Sequence, residues 1–299
     1  MAGVTSSVTA VGVVGLGNMG LPMAGHLVAA GFPVRGYDVR PAATGALEQA
    51  GGEPAGSPAA AAADAQVVIT SLPSVAALQE VVAGDRGLAS VAAEGLIVVE
   101  TSTLPIDVKD EARRLLADTG AVLLDCPLSG TASQMRGRDI AVYTSGEPAA
   151  IERCEPVLAA FSRVRYQVGA FGNGMRMKLI ANHLVTVHHT AAAEALVFAR
   201  RAGLDPALAL RALSDGAGNS RMLEVRGPMM LGGDFREANM RLGYFLKDID
   251  LISGLARQVA CPLPLFAASA QLHLAALAEG REEEDPACVH AVLEKMTSP

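Results

Sequence analysis

The sequence lacks an excess of basic charge: 24 lysines and arginines stand against 31 aspartates and glutamates, a formal net charge of −7. With no basic cluster there is no electrostatic footprint for nucleic acid and none for an anionic membrane surface. Paired cysteines are lacking as well. Cys126, Cys154, Cys261 and Cys288 are far apart and form no CxxC, which argues against a zinc site or a disulfide framework. Reduced, mostly buried thiols in a cytoplasmic protein are the expectation. No apolar run reaches membrane-spanning length without charge, and the leader Met1–Ser7 has neither the basic start nor the apolar stretch of a secretion signal. Apolar residues, by contrast, fill 51% of the 299 positions, enough for about two domains with large cores.

In the first half, short β-rich runs alternate with helical stretches. Strands are predicted at Val8–Val14, Val34–Asp38, Gln66–Ser71, Leu96–Glu100, Val122–Asp125 and Ile140–Thr144. Helices are predicted around Met19–Ala30, Val75–Val82 and Ile106–Thr119, with Gly31 in the left-handed position that ends the first. The alternation predicts an α/β fold with a parallel, doubly wound sheet, because parallel neighbours need crossover connections. Beyond Gly169 the pattern becomes helical through Met177–Arg201. Gly203 then closes one helix, while Asp205 and Pro206 open the next. Helical stretches follow at Ala207–Leu213, Gly243–Arg257, Leu265–Glu279 and Ala287–Met296, without a strand signal of similar quality. Two domains are read, 1–169 and 170–299, the second all-α and entered by a helix of about 25 residues starting near Gly174.

Val11, Val13 and Val14 run directly into Gly15-Leu16-Gly17-Asn18-Met19-Gly20, after which the helical pattern begins. In such a strand–turn–helix, Gly15 permits the turn and Gly17 removes the side chain that would block a pyrophosphate. Gly20 lets helix and strand pack closely, and the helix N-terminus supplies N–H groups. Asp38, 23 residues past Gly15, ends the next strand, where a carboxylate receives ribose hydroxyls. A Rossmann-type dinucleotide-binding domain is the expectation. The carboxylate of Asp38 repels a 2′-phosphate, which favours NAD over NADP, although Arg40 could turn toward such a phosphate.

A second constellation is Gly172–Asn182. Lys178 and Asn182 are four apart on a helix and project from one face, at the expected domain junction where an open sheet presents its ligand crevice. A lysine there suits a general acid toward a carbonyl during hydride delivery, and a base in the reverse direction. Asn182 could hold the ammonium group and a substrate oxygen in line. His183, His188 and His189 do not share a helical face and have no carboxylate cluster beside them, so no metal is expected. Arg136 and Arg138 read as solvated charge.

Four blocks in order resemble the β-hydroxyacid dehydrogenase family, which includes 3-hydroxyisobutyrate dehydrogenase and tartronate semialdehyde reductase. They are Gly15–Leu27, Asp125–Thr131, Gly172–Asn182 and Phe245–Leu251. The resemblance implies that Ser129 and the N–H groups of Gly130 and Thr131 bind a substrate carboxylate. It implies Lys178 as acid/base, Asn182 as a substrate-positioning residue, and Lys247 near the nicotinamide ribose or the substrate. Leu72 and Pro73 would line the cofactor, and Thr103 would lie near its nicotinamide end. Two departures bear on the substrate: Thr131 stands where the family usually has a second glycine, and His183 where it often has a second asparagine. The implied activity is NAD(P)-dependent interconversion of a small anionic 3-hydroxy acid and its semialdehyde or keto acid, by a homodimer or homotetramer. Two alternatives stay open. Imine-reducing relatives usually carry Asp or Tyr in place of the lysine. Non-catalytic, chromatin-reading relatives typically lose the lysine and carry basic extensions. The 6-phosphogluconate dehydrogenases are more distant, being longer and carrying phosphate-binding arginines not identifiable here.

Overall fold

A computed structural model describes residues 10–237 and 240–297. The leader and the first two residues of the predicted strand Val8–Val14 lie outside the described residues. The chain divides into two compact units, one ending at Lys178 and the other beginning at Leu179.

The first unit alternates strands with helices: β1 (Val11–Val14), α1 (Gly20–Ala29), β2 (Val34–Tyr37), α2 (Pro41–Gln49), β3 (Glu53–Pro54), α3 (Pro58–Ala62), β4 (Val67–Thr70) and α4 (Val75–Ala83). It continues through β5 (Ile97–Glu100), α5 (Ile106–Ala117), β6 (Val122–Asp125), β7 (Leu128–Ser129), α6 (Ala132–Arg136), β8 (Ala141–Thr144), α7 (Pro148–Phe161) and β9 (Val164–Gln167). Six strands form a parallel sheet in the order β3-β2-β1-β4-β5-β6, the doubly wound arrangement expected from the alternation. All four residues of β1, of β4 and of β5 are buried, because helices cover both faces of a parallel sheet. Strand periodicity then sends alternate side chains into two cores. Val11, Val13, Val67, Ile69, Ile97 and Val99 enter one; Val14, Val68 and Val98 enter the other.

The predicted strand Ile140–Thr144 does not join this sheet. It forms β8, the centre of a separate sheet β7-β8-β9, antiparallel to β7 and parallel to β9. The sixth place in the parallel sheet goes to β3, a two-residue edge strand too short to give an alternation signal. Helix α7 escapes the sequence pattern because Pro156 interrupts it, yet Ile151, Cys154, Val157, Leu158 and Phe161 are buried and hold it.

Helix α8 runs over Asn173–Arg201, and the division between the two units falls within it. The second unit continues with α9 (Pro206–Asp215), α10 (Arg221–Gly232), α11 (Leu242–Gln258), α12 (Pro264–Ala278) and α13 (Val289–Thr297). Asp205 caps α9 by accepting the N–H groups of Ala207 and Leu208, with Pro206 at the first helical position as expected. Helix α10 lies outside the helical stretches expected from the sequence and carries Gly227 and Pro228 in its interior. Packing overrides propensity there: a Cβ on Gly227 would lie 2.5 Å from the end of the Leu210 side chain, so the glycine lets that side chain of α9 pack against α10 as it stands.

Candidate active site

The cofactor loop and its partners gather at the carboxyl ends of the parallel strands. Gly15 follows β1 with φ +90°, and a Cβ there would sit 2.2 Å from the Ser71 carbonyl oxygen, so both backbone and space require glycine. A Cβ on Gly20, the first residue of α1, would meet the Gly15 carbonyl oxygen at 1.8 Å. Gly17 differs: a Cβ there would meet nothing nearer than Arg40, at 3.8 Å. Its missing side chain leaves room outside the protein's own packing. Asn18 is exposed, Leu16 is buried, and Met19, the residue before α1, makes no side-chain cap, while the first turn holds no acidic residue. Uncapped N–H groups beside a side-chain-free Cα fit a pyrophosphate, so the residues present suit a dinucleotide.

Asp38 follows β2, its side chain only 8% exposed. Its Oδ2 accepts the Leu16 N–H at 2.8 Å, its Oδ1 the Arg40 N–H at 2.9 Å, and the Arg40 guanidinium adds contacts of 2.9 and 3.1 Å. Burial alone would raise its pKa, but the Arg40 side chain and the two backbone N–H groups outweigh burial and hold the carboxyl below its usual range. Leu72, half-buried, and Pro73, exposed, follow β4; the half-buried Thr103 lies beyond β5. These loops are joined: Ser102 Oγ accepts the Leu72 N–H at 2.8 Å, and Ser102 donates its own N–H to Glu100 at 3.0 Å.

In the expected substrate loop, Ser129 ends β7 and Gly130 takes φ +143°, where a Cβ would strike Ile140 at 2.4 Å. Thr131 follows directly and has a second task in the fold. It caps α6 in a capping box, its hydroxyl accepting from the Gln134 N–H and its own N–H donating to Gln134 Oε1 at 3.0 Å. That N–H is engaged within the helix start, so a substrate carboxylate would compete with Gln134 for it.

Lys178 and Asn182 lie one turn apart on α8 and are both buried, at 7% and 6% exposure. In the second unit, Asn182 Nδ2 donates to Asp248 Oδ2 at 2.8 Å, while Lys247 Nζ stands 3.8 Å from Asp248 Oδ1. Asp248 was read only as part of a motif; it is the residue that orients Asn182. His183 packs its ring against Phe266, with centroids 5.6 Å apart, and burial followed by the charge of His188 lowers its pKa. Among the described residues no group of three or more His, Cys, Asp or Glu could hold a metal.

Sequence reasoning missed a buried cluster beneath these loops. Lys109, Glu100 and Asp125 have fully buried side chains, with Lys109 Nζ 2.6 Å from Glu100 Oε2 and 2.8 Å from Asp125 Oδ1. The available signal was a lysine on the apolar stripe of α5, in line with Ala112 and Leu116 and flanked by two strands that each end in an acid.

Comparison with known proteins agrees with this geometry. A family model described as the NAD-binding domain of 6-phosphogluconate dehydrogenase matches residues 10–172. One described as the NAD-binding of NADP-dependent 3-hydroxyisobutyrate dehydrogenase matches residues 172–293. An L-threonate dehydrogenase from Cupriavidus necator is 36% identical, covering 93% of this chain and 94% of its own. A 3-sulfolactaldehyde reductase from Escherichia coli is 31% identical, covering 92% and 93%. The crystal structure of a 3-hydroxyisobutyrate dehydrogenase from Salmonella typhimurium superposes with a TM-score of 0.86 at 30% identity, over 95% of this chain and 99% of that one. With a glycine cradle suited to a dinucleotide, and family matches that run from the first strand into the last helix, the chain belongs to the β-hydroxyacid dehydrogenase family, a family of NAD(P)-dependent dehydrogenases of hydroxy acids.

Proposed function

We propose that this enzyme interconverts a small anionic 3-hydroxy acid and its semialdehyde or keto acid, with Lys178 as general acid/base. The observation that carries the reading is a lysine and an asparagine buried one turn apart on α8, within the block that resembles the family's catalytic helix. A bound nicotinamide supplies the hydride acceptor or donor. In the oxidative direction Lys178, as the free amine, takes the proton of the substrate hydroxyl. In the reverse direction its ammonium returns that proton to the carbonyl oxygen. Asn182, its amide nitrogen engaged by Asp248, keeps its carbonyl oxygen to orient the substrate or the lysine. Ser129 and the Gly130 N–H bind the carboxylate, and Lys247 adds a positive charge on the helical side.

NAD is the favoured cofactor, because a carboxylate at the end of β2, such as Asp38, would accept ribose hydroxyls and repel a 2′-phosphate. Arg40, whose side chain is 62% exposed, must leave Asp38 for ribose hydroxyls to reach it. The enzyme works as a cytoplasmic homodimer or homotetramer. The relatives named L-threonate dehydrogenase put L-threonate first on a substrate panel, ahead of 3-hydroxyisobutyrate and other small hydroxy acids.

The test is Lys178→Ala, assayed on that panel with both cofactors. Turnover is expected to fall by roughly 10²–10⁴-fold, the usual worth of general acid–base catalysis, with NADH affinity kept. A variant that turns over at the parent rate overturns the mechanism.

A further inference from the structure

Three segments of the first unit's site meet a single buried cation. Glu100 ends β5 and Asp125 ends β6, and the two are register partners in the parallel ladder, so adjacent strands finish in two carboxylates side by side. Lys109 reaches them from α5, the crossover helix between those strands, and binds one oxygen of each. Burial alone would drive the proton from Lys109. The charges of Glu100 and Asp125 outweigh burial and hold its pKa above the ordinary lysine range, so it stays an ammonium.

The remaining oxygens are aimed at different parts of the site. Glu100 Oε1 accepts the Ser102 N–H at 3.0 Å, and the Ser102 hydroxyl in turn accepts the Leu72 N–H at 2.8 Å. That chain fixes the loops after β4 and β5. Asp125 Oδ2 accepts the Met175 N–H at 2.8 Å and the Ser145 hydroxyl at 3.2 Å, while Ser145 Oγ accepts the Gly174 N–H at 2.9 Å. The first turn of α8 is therefore capped by a carboxylate and a hydroxyl from outside its own sequence. Two carboxylates and one ammonium leave a net negative charge, which the positive end of α8 meets. The fit is tight: a Cβ on Gly174 would lie 2.6 Å from the Asp125 carbonyl oxygen and 2.7 Å from that of Tyr143. Lys178 stands three residues beyond Met175, on the next turn of the same face.

A buried ion cluster of this kind is weak as a source of stability, since well-packed apolar residues of similar volume often do as well. Geometry is what it supplies. We propose that Lys109 is a positioning residue for the reaction: through Asp125 it sets the start of α8 and hence Lys178, and through Glu100 it sets the loops that face the cofactor. The proposal rests on the reading of Lys178 as acid/base.

The two arms make separable predictions. Asp125→Asn keeps the volume, loses the charge and presents an amide N–H where an acceptor is needed. It should lower kcat by roughly 10–100-fold, the scale of a 1 Å misplacement at a reacting centre, and leave the NADH dissociation constant within about threefold. Removal of a negative charge beside the first turn of α8, the helix that carries Lys178, should also move the limb of the pH profile assigned to that lysine to lower pH. Glu100→Gln should do the converse, weakening NADH about tenfold with a smaller effect on kcat. Lys109→Met should show both changes. Where Lys109→Met does not yield folded protein, judged by a cooperative melt, the two near-isosteric variants decide.

If Asp125→Asn and Glu100→Gln each change kcat and NADH affinity by one common factor, with the pH profile unmoved, the cluster is structural only and the proposal falls. Unchanged kinetics in both variants overturn it equally. Lys178→Ala separates the two readings. Retained turnover there defeats the acid/base assignment itself, whereas lost turnover there with unaltered Asp125→Asn kinetics defeats the positioning role alone.

Discussion

Gly17 and Gly20 stand three residues apart in one loop, and the structure asks opposite things of them. Replacing Gly20 by alanine places a methyl group 1.8 Å from the Gly15 carbonyl oxygen, so loop and helix must part by more than 1 Å. Overpacking of this kind costs typically 1–3 kcal/mol, and an overlap with rigid backbone belongs at the upper end, about 3 kcal/mol. At about 2–4 °C per kcal/mol for a unit of this size, the melting temperature should fall by roughly 6–12 °C. Replacing Gly17 meets no protein atom closer than 3.8 Å, and its φ is not in the left-handed region. Stability of the free enzyme should therefore move by no more than about 0.5 kcal/mol. The same methyl group occupies the cradle that a pyrophosphate must enter, so NADH and NADPH should each bind at least about tenfold more weakly, or 1.4 kcal/mol. The assay is thermal melting without cofactor, paired with fluorescence titration of NADH and NADPH. If Gly17→Ala binds both cofactors like the parent and instead loses stability, the loop is a structural turn and the dinucleotide reading of its geometry is refuted.

Three further outcomes follow from burial. Burial is the main cause holding His189 far below its ordinary pKa and pushing His273 down to about 4. The unfolded chain gains a proton at each near pH 6.5 while the folded chain does not, so stability is full above 6.5 and is lost as pH falls toward 4. His273 alone should contribute a loss of about 2 kcal/mol at pH 5. Urea midpoints at pH 7 and 5 measure it, His273→Phe should flatten the slope, and equal midpoints in the parent would contradict it. Arg226 pairs with Asp285 at 2.7 Å, their side chains 5% and 0% exposed. Arg226→Met strands a buried carboxylate and should cost about 3–5 kcal/mol, whereas Arg226→Met with Asp285→Leu should recover much of that; a denaturant series that ranks the double variant below the single one is the adverse result. Of the cysteines only Cys261 is exposed, and burial pushes the Cys154 and Cys288 thiols up to about 12. A thiol reagent should modify Cys261 at once and Cys126, Cys154 and Cys288 only on unfolding, and rapid reaction of a second thiol would count against the packing.

Much of the fold was legible because it follows from local rules. Continuous valine and isoleucine runs marked β1, β4 and β5, since a strand buried on both faces has no polar alternation to show. Gly31, Gly203 and the Asp205-Pro206 pair marked helix ends through backbone preferences that need no tertiary partner. Less legible were β3, too short to carry a period, and α10, whose Gly227-Pro228 contradicts its conformation until Leu210 is seen against it. The strand at Ile140–Thr144 was visible, but its sheet was not, because pairing partners are a matter of topology and not of propensity.

The sequence by itself determined the α/β class, the glycine loop and the presence of Lys178 and Asn182 on one helical face, since spacing along the chain is what sets them. Only the tertiary structure decided three matters. Thr131 spends its N–H on Gln134, Asn182 is oriented by Asp248, and Lys109 joins the ends of β5 and β6 to the start of α8. The physical reason is the same in the last two. A buried polar group must find its partner wherever the fold places one, and for Asn182 and Lys109 that partner lies 66 and 16 residues away, beyond the reach of any local pattern.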